Sequence, residues 1–213
     1  MDILKTIGSC VVAMVAVAAG LGNASAAPLS FVNVRAPVHC IFNTPCAVVA
    51  STDSFATIDV SSLVWSGTAH LQSRTFSVTF ASPIGLKNFY EYRVDLTQTI
   101  TNADAACITD LSIDFGPVIK LQYNGAGPLD DGYVLFQGGV GSIGLSAVDE
   151  TNGVITFTFS QPICAGTTPG TGQASRLFGL ASAFPPRAVV AKVSVPGLDP
   201  IDVQARAPEQ RKH

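Results

Sequence analysis

Apolar residues recur at every second position through most of this chain. Tyr90, Tyr92, Val94 and Leu96 alternate with Glu91, Arg93, Asp95 and Thr97. Phe76, Val78 and Phe80 alternate with Ser77 and Thr79, and Leu111, Ile113 and Phe115 with Asp110, Ser112 and Asp114. The same holds for Ile155, Phe157 and Phe159, and for Val189, Ala191, Val193 and Val195. A period of two sends successive side chains to opposite faces of an extended backbone. Each run therefore predicts a strand with one face on a core and the other in water. No stretch carries a 3.6-residue apolar stripe with capping residues, so helices are not expected.

Turn residues separate the runs: Asn124-Gly125-Ala126-Gly127-Pro128, Thr151-Asn152-Gly153, the Gly/Thr/Pro loop from Gly166 to Gly172, Pro185-Pro186 and Pro196-Gly197. Such sequences favour the left-handed or fixed backbone angles that tight connections need. About ten strands with short connections predict an all-β fold, an antiparallel β-sandwich of jelly-roll or immunoglobulin-like topology. No internal repeat or long linker divides the chain. Residues 27–205 are expected to form one domain, with 206–213 as a flexible polar tail.

The N-terminus reads as an export signal. Lys5 supplies a weak positive charge, Ile7 to Leu21 is uncharged and apolar, and Ala24-Ser25-Ala26 is the small-x-small pattern a signal peptidase cuts. The apolar run is shorter than the about 20 residues of a membrane-spanning helix. Residues 1–26 are thus expected to be removed, leaving no membrane span and a secreted or periplasmic protein of bacterial style. Outside the reducing cytoplasm Cys40, Cys46, Cys107 and Cys164 can form disulfides. Four cysteines allow three connectivities. A local Cys40–Cys46 bridge would leave Cys107, beginning one strand, to meet Cys164, ending another. The five residues between Cys40 and Cys46 exclude a Cys-x-x-Cys redox pair.

Charge is sparse, with 12 basic and 15 acidic residues and a net charge of −3. Nucleic acid binding relies on clustered cations that neutralise phosphates. The one basic cluster is Arg211-Lys212-His213 at the extreme end, so nucleic acid is not an expected partner.

Several motifs invite a chemical reading. Gly139-Val140-Gly141-Ser142-Ile143-Gly144 spells G-x-G-x-x-G, but a dinucleotide site needs a helix to open at the last glycine, and here a strand follows. A bulge, or close approach of another backbone, explains such glycines better. Asn124, Asp130 and Asp131 form the one candidate calcium loop, although Pro128 and Leu129 stand where oxygen ligands would be wanted. Otherwise no cofactor is implied. Asp110 and Asp114 share a strand face about 13 Å apart at strand rise, farther than a glycosidase pair.

The chain has neither a G-x-S-x-G elbow nor an H-E-x-x-H zinc motif, and only His39, His70 and His213 offer an imidazole base. Trp65, Tyr90, Tyr92, Tyr123 and Tyr133 are the candidate aromatic platforms for a sugar ring. Trp65 and Tyr133, near turns, are expected to be partly open, whereas Tyr90 and Tyr92 share the apolar side of their strand.

The runs Cys107–Gly116, Gly138–Ser146, Ile155–Ser160 with Cys164, and Phe178–Ser182 resemble a group of exported bacterial β-rich proteins without assigned activity. Some of that group resemble surface-sorted proteins with a C-terminal Pro-Glu-Pro anchor. This chain departs there, because Ala207 to His213 has no apolar anchor helix. The resemblance implies a fold and an address, not an activity. The leading expectation is a non-enzymatic, disulfide-stapled sandwich that binds extracellular polysaccharide or a surface protein, or associates structurally. Two alternatives are a secreted hydrolase using His70 with Asp95 or Asp110, and a fibre or pilus-like subunit that completes a neighbour's sheet.

Overall fold

The computed structural model describes residues 26–35, 47–59, 65–79, 85–101, 107–125, 127–137 and 141–210. They contain twelve strands and no helix: β1 (Ala27–Pro28), β2 (Phe31–Arg35), β3 (Ala47–Ile58), β4 (Trp65–Thr79), β5 (Leu86–Thr101), β6 (Cys107–Asp114), β7 (Gly132–Gln137), β8 (Leu145–Thr151), β9 (Val154–Cys164), β10 (Phe178–Ser182), β11 (Pro186–Ser194) and β12 (Ile201–Pro208). The expected leader before Ala26, and Cys40 and Cys46, lie outside the described residues.

The strands form two six-stranded sheets, ordered β1-β8-β9-β6-β11-β12 and β2-β7-β10-β5-β4-β3. The fold is the expected all-β sandwich. One sheet is mixed, because β2 runs parallel to β7 while the other described strand pairs are antiparallel. Turn chemistry acts where it was read. Asn152 and Gly153 join β8 to β9 with φ of 53° and 82°, and two positive φ values match the twist of a two-residue hairpin. At the C-terminus the expectation fails in part. Arg206, Ala207 and Pro208, assigned to a flexible tail, are the end of β12 and pair with Ala188, Arg187 and Pro186.

The main core lies between the sheets. Tyr90, Tyr92, Val94 and Leu96 of β5 meet Leu111 and Ile113 of β6 and Ile155, Phe157 and Phe159 of β9. A second cluster occupies the far side of the β5 sheet: Val34, Phe76, Val78, Phe89, Leu121, Tyr123, Tyr133 and Leu135. Phe76 and Phe89 stack at 4.9 Å, and Tyr123 meets Tyr133 at 4.7 Å. Tyr123 comes from the segment between β6 and β7, where Leu121 and Asp130 bridge backbone to backbone. That cover overturns one expectation. Glu91 was read as part of a solvated strand face, yet it is fully buried, because Tyr133 and its neighbours close over the outer face of β5.

Cys107 and Cys164 are disulfide-bonded register partners on β6 and β9, with Cα atoms 4.2 Å apart. This bridge is weakly consistent with an extracellular or periplasmic protein.

Candidate functional site

The two sheets end in different ways on the two flanks of the sandwich. On one flank the N-terminal segment crosses from sheet to sheet, as β1 beside β8 and β2 beside β7. On the other flank β3 and β12 are edge strands of their respective sheets. Between them runs an open groove of about 250 Å³, lined by Ser54, Phe55, Ala56, Ala188, Gln204 and Arg206.

Local sequence explains what this seam presents. Ser54 and Ala56 are small and half-buried, and Ala56 packs on the inter-sheet core. Alternation turns Phe55 the opposite way, where it is 61% exposed. It is the only aromatic among the large exposed apolar side chains of the described residues. Its ring meets the His70 imidazole edge-on at 6.4 Å.

The floor is rigid. Tyr92 Oη donates to Arg206 O at 2.6 Å, and Arg206 N donates to Ser73 Oγ at 2.9 Å, tying β12 to the opposite sheet. Burial raises the Tyr92 phenol well above its ordinary pKa, so it remains a donor through the neutral range. The seam thus offers an exposed ring, a guanidinium, an amide and a hydroxyl. Among its described lining residues no base is paired with a nucleophile.

The aromatic residues singled out in the sequence do not form platforms. Trp65, Tyr90, Tyr92, Tyr123 and Tyr133 are all buried, which overturns the openness expected of Trp65 and Tyr133. The second cluster covers Tyr133, and Trp65 joins the main core. Sequence reading missed Phe55. Its signal was a large apolar residue between two small inward ones, the reverse of an amphipathic strand.

His70 and Asp95 are register partners on β4 and β5. Yet Asp95 Oδ1 accepts from Thr97 N and Thr97 Oγ1, and Oδ2 pairs with Arg93 at 2.8 Å. His70 Nδ1 is buried without a hydrogen-bond partner. Asp110 belongs to the other sheet, where Ser194 Oγ donates to it at 2.6 Å. Asp95 and Asp110 are thus each bound to groups other than His70, whose ring faces Phe55. Asp114 is bound by Arg187 at 3.1 Å.

Around the candidate calcium loop, Asn124 is exposed and Asp130 pairs through its backbone with Leu121. Asp131 is buried, and its Oδ2 receives Ser30 N, Ser30 Oγ and, at 3.2 Å, Lys120 Nζ. That oxygen is already surrounded by donors, which does not favour a cation beside it. Among the described residues no three His, Cys, Asp or Glu side chains gather as a metal site. In the glycine motif Gly139 and Val140 lie outside the described residues. At Gly141, with φ of 80°, a Cβ would stand 1.9 Å from Ser175 O, so this glycine serves close backbone approach. No family model, curated protein or solved structure matches the chain.

Proposed function

We propose that this is an exported, non-enzymatic binding protein of the bacterial surface or periplasm, whose β3–β12 seam takes extracellular polysaccharide. The observation that carries the reading is Phe55, exposed on the edge strand β3 beside Gln204 and Arg206. An aromatic face stacks on the apolar face of a sugar ring, while amide, guanidinium and hydroxyl groups bond its hydroxyls. An open groove suits a polymer that enters and leaves along its length. Export is supported by the leader pattern and by the Cys107–Cys164 bridge.

The test is a polysaccharide array probed with the oxidised protein and with Phe55→Ser. Binding by the parent and its loss in the variant, at unchanged melting temperature, is the expected result. Equal binding by both would remove the seam from the reading. A flat array with the parent would transfer the proposal to a surface protein as partner.

A further inference from the structure

The N-terminal strap belongs to neither sheet alone. Ala27 and Pro28 pair with Glu150 and Asp149. Leu29 N then donates to Val148 O at 2.8 Å, after which Phe31–Arg35 runs parallel to β7. Its seat centres on Asp131. Oδ2 accepts from Ser30 N at 2.9 Å and Ser30 Oγ at 3.0 Å, while Asp131 N and Gly132 N both donate to Ser30 O at 3.0 Å. Lys120 stands 3.2 Å from the same carboxylate oxygen and balances its charge.

Three features make strap and seat separable. Ser30 and Asp131 are 101 residues apart, so strap and seat come from distant parts of the chain. Main-chain bonds and Ser30 hold the strap together with Leu29, Phe31 and Val32, which are only partly buried against the two cores; Val34 is the only fully buried residue from 27 to 35. Leu29 is one wall of an open concavity of about 450 Å³, facing Pro117, Val118 and Glu150. Third, β2 and β3 are opposite edges of one six-stranded sheet, about 24 Å apart at strand spacing. The strap therefore joins its own body only through its Arg35 end and, under the export reading above, starts at a free amine.

We propose that residues 27–35 exchange between copies, the strap of one chain occupying the Asp131 seat of a second. The bonds that hold the strap are the same whichever copy provides it, so association needs no new surface. Each chain has one strap and one seat, and exchange closes as a reciprocal dimer or continues head to tail. This inference is independent of the sugar-binding reading, whose residues lie on the opposite flank.

The test mixes two full-length variants, Ser30→Cys and Asp131→Cys, with the Ser30→Cys/Asp131→Cys double variant as control. Closure within the double variant shows that the positions can bond. Exchange predicts a linked heterodimer in the mixture, absent from either variant alone, with a peptide joining positions 30 and 131. Failure to find that link at any concentration, while the control closes, overturns the proposal. If the cysteines prevent folding, light scattering of the unmodified chain decides. A mass that climbs with concentration, and falls back to monomer in Asp131→Ala, supports exchange; any other result overturns it.

Discussion

Tyr133 donates a 2.9 Å hydrogen bond to Glu91 Oε1 over the strand that separates them, and both residues are buried. The separating residue is Gly179, register partner of both, and Arg74 follows on the other side with Nη1 3.6 Å from Glu91 Oε2. A carboxylate taken out of water is costly unless its oxygens are bonded and its charge is balanced. Tyr133→Phe keeps the ring and removes the donor, so it should cost about 2 kcal/mol. Urea midpoints check this, and Glu91→Leu/Tyr133→Phe should cost less than the two single changes combined. A Tyr133→Phe midpoint equal to the parent's would mean that the bond adds nothing.

Gly179 is the reason the two side chains can meet. A Cβ there would lie 2.4 Å from Tyr90 O and 3.0 Å from Tyr133 Oη. The first contact is with backbone and cannot swing aside. Gly179→Ala should therefore destabilise by about 1–3 kcal/mol through overpacking, although alanine favours a strand no less than glycine does. Thermal unfolding of Gly179→Ala beside Gly144→Ala, where a Cβ meets nothing within 4 Å, separates packing from propensity.

The chain has four tyrosines, and burial raises the phenol pKa of each: Tyr90, Tyr92, Tyr123 and Tyr133. Neighbouring charge adds to the effect, from Glu209 at Tyr90 and from Glu91 at Tyr133. The folded state thus holds its phenolic protons more tightly than the unfolded state. This stability is fully present below the unfolded value near ~10 and is lost as pH rises above it. Each phenol contributes a slope of about 1.4 kcal/mol per pH unit there. Phenolate absorbance should stay low past that value and then rise with unfolding, in one step that far-ultraviolet circular dichroism shares. A gradual rise with the fold intact would contradict the burial.

Much of the fold was legible because alternation is a direct consequence of strand geometry. Val189 to Val195 and Ile155 to Phe159 place their apolar residues inward as their pattern implies. The lost parts are places where that pattern carries little contrast. In β12 the inward residues include Ala205 and Ala207, and β1 spans only Ala27–Pro28. Glu91 was misread because alternation identifies a strand's two faces but not what covers the second one. The cover comes from Tyr123 and Tyr133, more than thirty residues later in the chain. The seam has the same origin: Phe55 and Arg206 line one groove because two sheets end on one flank.

The Cys107–Cys164 bridge ties neighbouring strands already paired along β6 and β9, so its effect should be felt mainly in the unfolded chain. It closes a loop with a sequence separation of 57, and chain entropy assigns such a closure about 4 kcal/mol. Cys107→Ala/Cys164→Ala removes both sulfurs and leaves no unpaired thiol at either position. Chemical reduction is a poorer test, since it also acts on any bond made by Cys40 or Cys46. The double variant should retain the parent's β-sheet spectrum and unfold at lower urea. Its m-value should rise, because an uncrosslinked unfolded chain exposes more surface. A lower midpoint without a change in m would place the effect in the folded state instead. An unchanged midpoint would mean that the paired strands hold the ends together without it.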